Sequence, residues 1–252
     1  MNASQPHLVV TRDNGVVTVA IDRPEKRNAI GLDTFAELEQ AFRTIALSAE
    51  DRVVVLRGSE GVFSAGGELP RTVAGEPAPP SSTGTGMRNM RHLVGSAMLA
   101  LHRTPQPIIA VVDGYAIGAG VSLALAADLT VATTRASFAL PFVDRGLGPD
   151  SGLSWTLPRT VGLKKALELT LLGANLSAEQ AAAIGLVNTV VEPAGLDSLL
   201  RDWTERLASL SPTALAATKQ ALHFAAASSF IEALDAEAQG QVISTRSGEL
   251  ER

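Results

Sequence analysis

Apolar residues along this chain switch between a period of two and a period near 3.6, and the switches outline its elements. Leu8–Thr11 and Val16–Ile21 flank Arg12-Asp13-Asn14-Gly15, which predicts a β-hairpin closed by an Asn-Gly turn. Thr34 with Glu37 fits a capping box, and Leu38, Ala41, Phe42 and Ile45 follow at helical spacing. Val53–Leu56 is a short, all-apolar run, the mark of a strand buried on both faces, and Pro107–Val112 reads as another buried strand. Met87–Arg103 and Val121–Ala127 read as helices, and Leu129–Thr133 and Leu186–Val191 as strands. Ser177 with Gln180 caps a helix that stops at Gly185. Beyond residue 196 the pattern is helical, broken at Pro212 and near Ser228-Ser229.

The plan is a strand/helix core over 1–195, followed by a helical region over 196–252. Residues 70–86, rich in Pro, Gly and Ser, read as a loop inside the core rather than a linker, because the same rhythm resumes after them. There is no sequence-level repeat.

Composition removes whole classes of chemistry. Net charge is −5, so no basic field is available to hold nucleic acid. The absence of cysteine excludes disulfides, thiolate metal sites and a Cys nucleophile. His7, His92, His102 and His223 lack zinc-binding spacing, so no metal is expected. The first residues lack the basic-then-apolar shape of a signal peptide, and Asp113 and several glycines interrupt the longest apolar stretch. A cytoplasmic protein without membrane partners is the expectation.

Two glycine-rich segments follow buried strands: Gly61–Glu68 and Gly114–Gly120. Small residues at a strand end let backbone approach a ligand, and two converging N–H groups make an oxyanion hole. Ala119 would open a helix, where negative charge is favoured. The plainer alternative is that these glycines serve tight turns and helix packing alone. A dinucleotide fingerprint fits poorly, since Leu123 stands where a third glycine belongs. A serine-hydrolase elbow fits poorly too, since Val62 precedes Ser64 where a glycine belongs. Taken by itself, Asp150 before Ser151 reads as a helix cap. Lys26 and Arg27 read as phosphate contacts or as a solvated charged loop.

Four motifs together are more specific than any alone. They are F-S-A-G-G-E at Phe63–Glu68, G-Y-A-I-G-A-G at Gly114–Gly120 continuing to Asp128, R-P-x-x-x-N-A at Arg23–Ala29, and the L-L-G to V-V stretch at Leu171–Val191. In these the chain resembles the enoyl-CoA hydratase/isomerase (crotonase) family over roughly residues 8–245. The resemblance implies an α/β fold, a crotonase-like spiral of ββα units with a C-terminal helical trimerisation region, and a homotrimer or homohexamer. It implies a coenzyme A thioester as substrate, with no separate cofactor, and a carbonyl oxygen held by the N–H groups of Ala65 and Ala119. Lys26, Arg27, Ala29, Ser64, Gly66, Gly67, Glu68, Gly118 and Phe142 would then border substrate.

Departures from the family narrow the reaction. Its hydratases carry two glutamates where this chain has Ser122 and Phe142. Its isomerases, including that of phenylacetate catabolism, carry an acid at the place of Asp150. The resemblance therefore implies that Asp150 is a proton-shuttling base in a double-bond isomerase. Phe142 and its apolar surroundings would desolvate it. Hydration with Asp150 or Glu68 positioning water is the alternative, and an inactive acyl-CoA-binding protein is another. Asp144 and His92 are lesser acid–base candidates, Asp144 with Arg145 beside it as an ion-pair partner. The family commonly ends in a basic, aromatic segment where this chain reads Glu251-Arg252, which makes a different closure of the site the expectation.

Overall fold

The computed structural model describes residues 6–68 and 82–247. In chain order the elements are β1 (Leu8–Asp13), β2 (Val16–Ile21), α1 (Leu32–Ala46), β3 (Val53–Gly58), α2 (Thr83–Asn89) and α3 (Gly95–Arg103), with one π-helical turn, Met90–Val94, between α2 and α3. Then come β4 (Ile108–Val112), β5 (Tyr115–Ile117), α4 (Ala119–Leu125), β6 (Leu129–Thr133), β7 (Ser137–Ala139), α5 (Leu153–Val161) and α6 (Leu163–Leu171). The chain closes with β8 (Asn175–Ser177), α7 (Ala178–Ala183), β9 (Thr189–Val191), α8 (Leu196–Ser209), α9 (Pro212–Ala225) and α10 (Phe230–Arg246).

Six strands form one sheet in the order β1-β2-β3-β4-β6-β9, and β5-β7-β8 form a second. From β2 onward the large sheet is parallel, and only the β1–β2 hairpin is antiparallel. β4 and β6 each hand the chain to a short strand of the small sheet, β5 or β7, before a helix follows. That repeated step is the crotonase-type spiral.

The large sheet is covered on both faces. Val17, Val19, Ile21, Val54, Leu56, Ile108 and Ala110 pack into the main core with α1, α3 and α4. Alternate residues Val53, Val55, Ile109, Val111 and Val131 pack against Leu196, Leu199, Leu200 and Trp203. Continuous apolar strands are what a doubly covered parallel sheet requires. The first helix after the 195/196 boundary is thus a wall of the core rather than an appendage.

Several expectations shift in register for physical reasons. The hairpin turn has Asn14 and Gly15 both at positive φ, the geometry Asn-Gly favours. The capping box expected from Thr34 to Glu37 is not formed: α1 begins at Leu32, so Thr34 is its third residue, accepting the Gly31 N–H at 3.4 Å and lying buried 3.0 Å from His7 Nδ1. Glu37 instead accepts the backbone N–H groups of His7 and Leu8 at 2.8 and 3.1 Å, pinning β1 to the helix. The strand expected over Leu186–Val191 is confined to Thr189–Val191, because the Asn188 side chain takes the Thr130 N–H at 2.7 Å. Helix α4 starts two residues earlier than expected, at Ala119. The loop over 70–86 lies outside the described residues up to 81; Ser82 caps α2, which begins at Thr83.

Pro212 opens α9, and Ser229 caps α10 through the Glu232 N–H. Neither helix has a buried residue. What ties α9 down is electrostatic. Lys219 Nζ lies 2.6 Å from Asp128 Oδ2, and that carboxylate also accepts the Ile108 N–H at 2.8 Å. Burial alone would raise the Asp128 carboxyl, but His223 and Lys219 hold it below its ordinary value.

Asp128→Asn leaves Lys219 nearly buried without its counter-charge, so stability should fall by about 3 kcal/mol, read from the urea midpoint. A lowered carboxyl stabilises the fold above the unfolded aspartate pKa of about 3.9 and ceases to do so as pH falls through the folded value. That acid-dependent part of the stability profile should be missing in the variant.

Candidate active site

The two glycine-rich segments lie side by side. Ser64 N–H donates to Tyr115 O at 3.1 Å and Ile117 N–H returns to Ser64 O at 3.0 Å. The Ser64 hydroxyl donates to Asn28 O at 2.8 Å and accepts the Gly66 N–H at 3.0 Å. Asn28 in turn spans to Ser59 O and Val62 O. Ser64, expected to border substrate, is fully buried and serves this clasp. A Cβ on Gly66 would stand 2.5 Å from Ile117 O, and one on Gly120 would stand 2.9 Å from Ser64 Cβ. Only glycine lets the segments approach this closely.

The clasp decides which N–H groups remain available. Ala65 N–H is already donated to Arg27 O at 2.9 Å, so the expectation that Ala65 supplies an oxyanion donor does not hold in this geometry. Ile30 bonds on either side of Gly67, through Gly66 O and Glu68 N–H, and leaves Gly67 N–H without a partner among the described residues. Nothing lies within 4 Å of where a Gly67 side chain would begin, so this backbone faces open space. Ala119 is the first residue of α4, where an N–H has no intrahelical acceptor. Gly118 before it has φ 52° and donates to Ala139 O at 2.8 Å. The same hypothetical Cβ on Gly66 would lie 3.8 Å from Ala119 N, which places the two turns together.

Asp150 is tied to α4 through its backbone. The Ser122 hydroxyl, on the first turn of α4, donates to Asp150 O at 3.2 Å. The Asp150 side chain does not cap α5, whose N-cap position is Gly152 with no side-chain bond. Asp150 Oδ1 is buried and has no hydrogen-bond partner among the described residues. Burial pushes this carboxyl above its ordinary value; the nearby Ser151 hydroxyl pulls the other way but is not aligned as a full hydrogen bond. Phe142 is nearly buried and stands against Gly118, with Cζ 3.7 Å from its would-be Cβ.

The remaining candidates sort by their partners. Glu68 pairs with Lys26 at 2.6 Å and Arg23 at 3.0 Å; Lys26 and then Arg23 hold its carboxyl low against burial. A paired, ionised Glu68 is poorly placed to act as a base, and Lys26 is committed to it. Arg27 is exposed, and among the described residues its side chain has no ion pair. Ala29 O accepts from Arg23 at 2.6 Å. Asp144 is exposed beside Gly173, not paired with Arg145. His92 is exposed in the π-helical turn. Among the described residues no three His, Asp or Glu gather as metal ligands would, and no helix is long and apolar enough to cross a membrane.

The two turns and the unpartnered Asp150 carboxyl meet around α4, which begins at Ala119 and whose Ser122 donates to Asp150 O. The enoyl-CoA hydratase/isomerase family profile matches residues 11–250. The chain belongs to the enoyl-CoA hydratase/isomerase (crotonase) family. It is 31% identical to the 1,2-epoxyphenylacetyl-CoA isomerase of Escherichia coli (strain K12), over 94% of this chain and 89% of that protein. It is 37% identical to the carnitinyl-CoA dehydratase of the same strain, over 84% of this chain and 78% of that one. A protein from Thermobifida fusca YX, solved in complex with CoA, superposes with a TM-score of 0.85 at 30% identity, covering 95% of this chain and 93% of that one.

Within this crotonase-type site, sequence reasoning misses two things. It marks Gly67 as a binding residue but not as the free donor, because which N–H is left over depends on pairing across the fold. The group of His102, Trp155, Lys219, His223 and Asp128 carries no local signal, since its members are scattered along the chain and meet only on folding.

Asp150 carries a stability consequence. A carboxyl whose folded pKa is raised favours the fold below its unfolded pKa and opposes it once pH rises through the folded value. Asp150→Asn should therefore raise the melting temperature at pH 7–8 and change it little near pH 3. A lower melting temperature at neutral pH would mean the carboxylate is stabilised by contacts absent from this structure.

Proposed function

We propose that this family member is an enoyl-CoA double-bond isomerase in which Asp150 shuttles one proton. The reading rests on one observation: Asp150 is the acid at the site that is desolvated and unpartnered. The thioester carbonyl oxygen sits between Gly67 N–H and Ala119 N–H. Asp150 takes a proton from C2 of a 3-enoyl ester, and the electron pair passes to the carbonyl oxygen as a dienolate. The protonated Asp150 returns the proton to C4, and the double bond closes between C2 and C3. One carboxylate suffices for this shift, whereas Ser122 and Phe142 stand at the family's glutamate positions. A raised pKa suits Asp150 to both halves of the cycle.

Arg27, exposed and unpaired among the described residues, is the cation on this rim that remains for the CoA phosphates. A second reading, addition or removal of water, is favoured by the 37% identity to a carnitinyl-CoA dehydratase. Incubation of 2- and 3-enoyl-CoA esters in D₂O, followed by proton NMR, separates exchange, isomerisation and hydration in one experiment.

Asp150→Asn should fold, bind acyl-CoA and lose both isomerisation and deuterium uptake, since an amide cannot accept the proton. An active, folded variant moves the base elsewhere. Gly67→Ala keeps the N–H in open space and should retain activity. Gly67→Pro removes the N–H and should lower kcat by about 10²–10³, the size of one oxyanion donor. Equal rates in the two Gly67 variants would exclude this donor.

Assembly belongs to the same proposal. Leu222, Phe224, Phe230, Ile231, Val242 and Ile243 on α9 and α10 are exposed in the single chain. Apolar surface of this extent is buried between subunits in obligate oligomers. A homotrimer or homohexamer is expected by light scattering at micromolar concentration, and a monomer would contradict it.

A further inference from the structure

Ser151 and Gly152, directly after the candidate base, line a cavity of about 460 Å³ walled by Met90, Met98, Leu99, Leu125 and Trp155. Its size is that of a small-molecule site, roughly 300–1,000 Å³. Most of the lining is hydrocarbon, thioether or aromatic ring, but two polar groups in it have no hydrogen bond among the described residues. Ser151 is 6% exposed, and its hydroxyl is buried and unpartnered. His102 packs edge to face on two rings, Trp155 at 5.6 Å and His223 at 4.4 Å between centroids. The other histidine of the lining, His223, is already turned to Asp128 at 3.5 Å. Burial first, then the nearby His223 and Lys219, hold His102 below its ordinary pKa. At neutral pH its ring is uncharged, with one nitrogen to donate and one to accept.

A hydroxyl and an imidazole enclosed with a plain hydrocarbon chain would lose water and gain nothing in return. An acyl group with its own oxygen would satisfy them. Among the described residues no Lys, Arg, Asp or Glu lines the cavity, so they offer a charged acyl terminus no counter-charge. We propose that this cavity is the acyl pocket and selects a short acyl group bearing a neutral hydroxyl or keto oxygen, with His102 and Ser151 as its hydrogen-bond partners. The proposal rests on the acyl-CoA reading above and specifies the substrate class of that site.

The test uses two matched probes, 3-hexenoyl-CoA and 6-hydroxy-3-hexenoyl-CoA, with the full chain. Deuterium uptake in D₂O gives kcat/KM for each, and calorimetry gives each Kd. The hydroxylated ester should be favoured by about tenfold, the worth of one satisfied hydrogen bond to a buried partner. In His102→Leu the ratio of the two esters should fall towards one, while His102→Gln, which keeps a donor and an acceptor, should restore part of it. Ser151→Ala should lower the ratio as well. Circular dichroism and melting curves establish that each variant is folded. Preference for the hydrocarbon ester, or a ratio unmoved by His102→Leu, overturns the proposal. Loss of exchange with both esters would instead defeat the Asp150 mechanism, and the Kd ratio would then decide the pocket by itself.

Discussion

The pairing of two short backbone segments, Ser64 against Tyr115 and Ile117, is the constraint on which the candidate site depends. Two hydrogen bonds near 3 Å join strand-end turns that belong to different units of the spiral. The Ser64 hydroxyl ties the same point to the Asn28 loop. Once these bonds and the Arg27–Ala65 bond are made, most N–H groups in the two turns are satisfied. Gly67 and Ala119 are among those it leaves without an acceptor among the described residues. The donors are thus a by-product of how the backbone closes, and they are held by rigid sheet ends rather than by side-chain rotamers.

Asp150 is positioned by a different principle. Its backbone, not its carboxylate, is anchored, through the Ser122 hydroxyl on the first turn of α4. The side chain is left desolvated and without a partner, the state that raises a carboxyl and opposes folding at neutral pH. Functional groups held this way commonly trade stability for chemistry. Ser122 has no carboxylate to contribute, yet its hydroxyl connects Asp150 to the turn that carries Ala119.

The helical region divides by the kind of surface it offers. α8 seals the second face of the large sheet with Leu196, Leu200 and Trp203, so the core is incomplete without it. α9 and α10 bury no residue fully in the single chain. α9 is placed by the Lys219–Asp128 contact and by Arg52 donating to Leu210 O at 2.7 Å. That placement brings His223 to the wall of the cavity beside Ser151, so the region that exposes apolar surface in the single chain also shapes the candidate acyl pocket.

The order and type of most elements, and the family, are legible in the sequence. Apolar runs such as Val53–Leu56 can be satisfied only by strands covered on both faces, and Asn14-Gly15 or Ser177 with Gln180 act within a few residues of themselves. The resemblance singles out Asp150 and Ala119, and the fold brings them together through α4, which begins at Ala119 and whose Ser122 donates to Asp150 O. Thr34 with Glu37 misleads as a cap, because the same residue types serve β1, nearly thirty positions away. The free N–H of the first segment is that of Gly67 rather than Ala65, because local spacing cannot tell which N–H a distant carbonyl has already taken. The Glu68–Arg23–Lys26 pairing and the His102, His223 and Asp128 group emerge only when the chain is folded, since ion pairs and ring contacts join residues whose separation along the chain carries no periodic signal.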